Sequence, residues 1–193
     1  MSRYDRTQAQ LRRLETIGVY RVMTSVPTQQ TATRGLDPRA RAAARLFAVQ
    51  ALYQMDIAAT PLDEVVEEFV EHRLEEPEGD NEIFAADKVH FEDVVRGVVR
   101  EQRELDVQVN SALAKGWSLA RLDATLRAIL RCGTYELRRC KDVPLKVVIN
   151  EYVEIAHAFF EGDEPGVVNA VLDRLGRDIR AGSGIGHGSS EQA

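Results

Sequence analysis

Arg39, Arg41 and Arg45 stand within seven residues of one another, and Arg34 lies five residues upstream. Arg41 and Arg45 are four apart, so a helix through this stretch puts both guanidiniums on one face. Guanidiniums grouped in this way suit an anionic partner, because each offers a planar set of N–H donors that stays charged at every physiological pH. A second group, Lys146, Asn150 and Glu151, sets a cation and an amide one helical turn apart. An exposed Lys146 there would meet an anion. Asn150 and Asn169 read instead as polar contacts closed between helices.

Other chemistries lack candidates. The four histidines, His72, His90, His157 and His187, are scattered, with no His-x3-His or Cys-x2-Cys pair to begin a metal site. Cys132 and Cys140 are eight residues apart in one predicted helix, about 12 Å by helical rise, which is too far for a disulfide. The glycines of 182–188 have no preceding strand and no following helix, so they fail as a phosphate-binding fingerprint. Carboxylates are abundant between 56 and 106, but a charge run is usually a solvated face. No Gly-x-Ser-x-Gly, phosphate loop or acid/base pair appears, so the chain reads as a binding protein without catalysis or cofactor.

Charge is unevenly distributed over the 193 residues, whose net value is −6. Residues 1–45 carry nine arginines and three acids, residues 56–106 seventeen acids and five cations, and the remainder balances. A basic start before an acidic block fits a polyanion at the basic end, although charge alone reads first as a solvated arm. The hydrophobic fraction of 44% is that of a globular chain. No apolar run approaches the roughly 20 residues of a membrane span, and the N-terminus has no secretory h-region. A cytoplasmic protein with reduced thiols is expected.

The elements that must position these residues are helices. Residues 1–36 and 181–193 have the polar, Gly- and Ser-containing composition of tails, with Met23 a conceivable later start. Between them, residues 37–180 form the expected folded unit. Asp37-Pro38 signals a helix from about 38 to 56, and Thr60-Pro61 a second that ends before Pro77. Phe91, Val94, Val95, Val98, Leu105 and Val109 form one stripe within 84–113. Leu122, Leu126, Ile129 and Leu137 predict a helix over 119–140, Pro144 starts another, and Asp163 precedes the last. With no sustained period-two alternation, the class is all-α, packed as helical bundles of six to seven helices.

The stretch from Arg41 to Met55, Arg-Ala-Ala-Ala-Arg-Leu-Phe-Ala-Val-Gln-Ala-Leu-Tyr-Gln-Met, resembles the first helix of the NusB family of transcription antitermination factors. Three further stretches match that family in the same order. They are Phe91 to Val98, Leu126 to Leu137, and Asp142 to Glu151 with its continuation through Ile155-Ala156 and Val168 to Asp173. The resemblance implies two small helical subdomains without enzyme activity. It also implies partnership with NusE, a small-subunit ribosomal protein, in binding the single-stranded boxA element of ribosomal RNA leaders, and action on RNA polymerase with the other Nus factors.

Under that resemblance Arg34, Arg39, Arg41 and Arg45 become phosphate contacts. Four of them predict a log–log salt slope of about −3 on single-stranded RNA. Gln50 and Tyr53 would supply hydrogen bonds and stacking to splayed bases, Tyr53 lying near the region shared with NusE. As an aromatic at helical spacing, Tyr53 fits the core equally well. Lys146 joins the RNA face. Asp163 would cap the last helix and, by its place in the family, lie near RNA, where a carboxylate repels phosphate. Departures from the family pattern are Ala42 after Arg41, Leu126 where an acid is common and Val167 where an aromatic is common. A helical scaffold that binds a basic protein through its acidic middle is the alternative. Oligomeric state stays open, a homodimer through the first helix being compatible with the pattern.

Overall fold

Helix α1 begins at Pro38, whose fixed φ suits a first helical position, and runs to Ala58. The computed structural model describes residues 38–74 and 86–183, and side chains as far as Arg180. Residues 1–36, with Arg34 and Met23, and the Asp37 cap lie outside the described residues. The remaining helices are α2 (Leu62–His72), α3 (Lys88–Ala112), α4 (Ala124–Arg139), α5 (Leu145–Phe159) and α6 (Glu164–Ser183). The described residues form helices and no strand, so the chain is all-α.

Boundaries differ from expectation in three places, each with a local cause. The α3 helix starts at Lys88 because Asp87 Oδ1 accepts the His90 N–H at 3.0 Å and closes the first turn. The expected helix over 119–140 is broken in two. Leu119–Arg121 is a single 3₁₀ turn, after which Asp123 Oδ1 accepts the Thr125 N–H at 2.8 Å and restarts the chain as α4. The last helix continues past Arg180 to Ser183, into the segment expected to be tail.

The chain divides into two compact units, the boundary falling inside α3 between Val95 and Arg96. In the first, α1 is apolar on most of its circumference, burying Ala44, Ala48, Val49 and Ala51 completely. Its core is aromatic. Phe69 stacks on Phe91 with centroids 5.7 Å apart and meets Phe47 edge-on at 6.3 Å.

In the second unit α4, α5 and α6 pack on one another around Ile129, Leu130, Tyr152, Ile155 and Leu172, all buried. Helix α4 carries a polar core of its own. Glu136 is fully buried and accepts the Tyr152 hydroxyl at 3.0 Å, while Thr134 Oγ1 donates to the Leu130 carbonyl at 2.7 Å. Arg131 grips Asp106 through two bonds of 2.7 and 2.9 Å, tying α4 to α3. Gly97 lets these helices approach, since a Cβ there would run into the Tyr135 ring.

Candidate nucleic-acid interface

The first turns of α1 are held by one buried acid. Asp87 donates its N–H to the Ala40 carbonyl at 3.0 Å, caps α3 with one carboxylate oxygen and sets the other 3.6 Å from Arg41 Nε. Arg41 keeps 28% of its side chain exposed while Asp87 is closed off at 3%, so the buried acid supports a part-exposed arginine. Arg39, two residues earlier on the helix, is half-buried. Sequence reasoning missed Asp87, which sat unremarked in a run of acids. The signal available was its place immediately before an apolar periodic stretch.

Arg45 departs from expectation. It is 3% exposed, so it does not share an open cation face with Arg41. The reason is the helix itself: with alanines and branched residues buried nearly all round α1, position 45 falls inside the unit rather than on its surface. Gln50 and Tyr53 are half-buried on α1, so Tyr53 is neither a core residue nor a free aromatic. Next to it Gln54 Nε2 donates to Glu68 at 2.6 Å and fastens α1 to α2.

The second predicted set lies in the other unit. Lys146 is exposed at the start of α5. Asn150 and Asn169 are exposed as well, which overturns the expectation that they close buried contacts between helices. Their helices bury Val148, Ile149, Tyr152, Val168, Val171 and Leu172 instead, and the amides fall on the opposite arcs. Glu151 is half-buried. Asp163 is exposed immediately before α6, where its backbone carbonyl accepts the Val167 N–H at 3.1 Å. Leu126, the departure expected to alter a partner surface, is 3% exposed and belongs to the core, whereas Val167 is half-buried.

Neither cysteine offers chemistry. Burial pushes the Cys132 thiol well above its usual range, the neighbouring Glu136 carboxylate adding to the effect, and neither Cys132 nor Cys140 is in a disulfide. Among the described residues no group of acids, histidines and cysteines could hold a metal, and no helix is long and apolar enough to cross a membrane.

A sequence profile of the NusB family matches residues 42–177, from the second turn of α1 into the last turns of α6. The chain belongs to the NusB family. A NusB relative, the transcription antitermination protein NusB of Rhodopseudomonas palustris (strain BisB18), is 56% identical over 142 residues, covering 73% of this chain and 83% of the relative. The crystal structure of T. maritima NusB superposes with a TM-score of 0.61 at 29% identity, covering 75% of this chain and 94% of that one. A structure of antitermination factors NusB and NusE in complex with double-stranded RNA shares the fold, with a TM-score of 0.62 at 24% identity over 74% of this chain and 99% of that one. NusB proteins are transcription antitermination factors and not enzymes.

Proposed function

We propose that this NusB-family chain binds boxA-type single-stranded RNA of ribosomal RNA leaders together with NusE, within an antitermination complex on RNA polymerase. The observation that carries the reading is Arg41, set against buried Asp87 with 28% of its side chain exposed, on the same helix as the half-buried Arg39, Gln50 and Tyr53. Phosphate contacts position such an RNA, while Gln50 and Tyr53 meet bases. Lys146 adds a cation in the second unit, and Asp163 a repelling charge. Support from relatives is the solved structure in which a NusB protein of the same fold is in complex with NusE and double-stranded RNA.

Burial of Arg45 lowers the expected salt dependence. Of the four arginines, Arg39 and Arg41 remain among the described residues as proposed phosphate contacts, which gives a log–log slope of about −1.4 in place of about −3. Because the chain carries −6 overall, affinity should rise markedly when NusE contributes positive charge. The test is fluorescence anisotropy of a labelled boxA RNA at two salt concentrations, with and without NusE. Arg41→Ala should weaken binding and reduce the slope by about 0.7. Unchanged affinity in that variant, or no binding even with NusE, sinks the reading.

A further inference from the structure

The acidic block of the sequence conceals a basic face. Helix α3 carries Arg96, Arg100 and Arg103 at i, i+4 and i+7, a single stripe. The end of α4 brings Arg138 and Arg139 onto its flank, with Lys141 just beyond. Residues 96–104 and 138–141 together hold six cations and two carboxylates.

The two carboxylates act as anchors. Glu101, whose side chain is 7% exposed, accepts Arg139 Nε and Nη2 at 3.1 and 2.8 Å and Arg100 Nη2 at 3.3 Å, with Arg138 Nη1 at 3.7 Å. Arg100 Nη2 also lies 3.4 Å from the Tyr135 hydroxyl, and Arg138 Nη2 bonds Glu104 at 3.0 Å. Two carboxylates, one of them buried, thus meet three guanidiniums, which leaves a positive charge in excess. Arg100 and Arg139 are fixed at their inner edges yet 63% and 52% exposed. Ordering them in advance removes part of the side-chain entropy that binding would otherwise cost.

We infer that this face of the second unit is a phosphate-binding surface for single-stranded RNA, with Arg100 and Arg139 as its outward contacts. The inference rests on the RNA-binding reading above and adds a separate set of contacts to it. RNA is favoured over an acidic protein because, among the described residues, the one large apolar side chain exposed along this stripe, Val107 one turn beyond Arg103, stands at its end, whereas a protein interface needs an apolar centre. Planar guanidiniums with free N–H edges match phosphate oxygens in geometry as well as charge.

The test is anisotropy of a fluorescein-labelled 20-nucleotide single-stranded RNA with the full chain between 50 and 200 mM salt. Arg100→Gln/Arg139→Gln should lower the salt slope by about 1.4, so that its deficit against wild type shrinks about sevenfold across that range. Adding Glu101→Gln removes the carboxylate that has lost those two partners, and this triple variant should show the same RNA deficit with wild-type helicity. Arg41→Gln, measured alongside, reports the α1 contacts independently. A deficit in both variants supports the inference, and a deficit in the Arg100/Arg139 variant alone supports it while refuting the α1 reading. Loss with Arg41→Gln alone overturns the inference and leaves the α1 reading standing. Absence of RNA binding by wild type overturns it too, as does loss of poly-glutamate binding in the variants with RNA affinity intact.

Discussion

Buried polar side chains are where single substitutions should tell most. Glu136 has no access to solvent, and the Tyr152 hydroxyl is a donor that satisfies one of its oxygens. Tyr152→Phe keeps the ring and removes that donor, so it should cost about 1–3 kcal/mol in urea unfolding. A change within 0.5 kcal/mol would mean that other partners carry the carboxylate. Asp163 presents the opposite case, an exposed acid whose loss should leave stability nearly untouched. Asp163→Asn should tighten boxA binding modestly, and more at low salt, because it removes a charge that repels phosphate. Unchanged or weaker affinity would place Asp163 away from the RNA. Exposure of such residues was not legible in the chain: Asn150, Asn169 and Arg45 all landed on the other side of their helices from the one expected.

At the scale of elements, periodicity located the helices of the described residues, and local capping fixed where two of them begin. The apolar stripe from Phe91 to Val109 marked α3, but Asp87 and Asp123 decided where α3 and α4 begin. The spacing of Leu122 and Leu126 is compatible with one uninterrupted helix, so only a cap that competes for the first N–H groups could divide it. Close approach of α3 and α4 depends on Gly97, where Cβ would meet the Tyr135 ring. Gly97→Ala should destabilise by about 1–3 kcal/mol through overpacking, despite alanine's better helix propensity. Thermal melting checks this, and a stabilised variant would show that the ring can move aside.

For the whole molecule, the charge tally and the charge map differ. Seventeen acids between 56 and 106 make that block acidic, yet within it Asp87 and Glu101 are buried and bound to arginines, while Asp106 is clamped by Arg131. Burial alone would raise the Glu101 carboxyl, but its hydrogen bonds from Arg139 and Arg100 outweigh this and hold it below the usual carboxylate range. A depressed carboxylate contributes stability that is present above its unfolded value of 4.5 and lost as pH falls through its folded one. The stability gap between wild type and Glu101→Gln should therefore be widest near neutral pH and narrow below pH 4.5. Urea unfolding across pH 3–7 measures it, and a gap independent of pH would show that the ion pairs do not stabilise the charged form.

The sequence alone determined the helical class, the order of the described helices and the family, because these depend on local spacing and on residues adjacent in the chain. Tertiary structure decided which charges face outward. Arg41 stays half-open because an acid 46 residues away supports it, and Arg45 is enclosed because α1 is packed on nearly every side. Arg100 and Arg139, 39 residues apart, become neighbours only when α3 and α4 pack through Gly97 and close around Glu101. A charge's partners are set by distance in space, and no periodicity along the chain records contacts between separate helices.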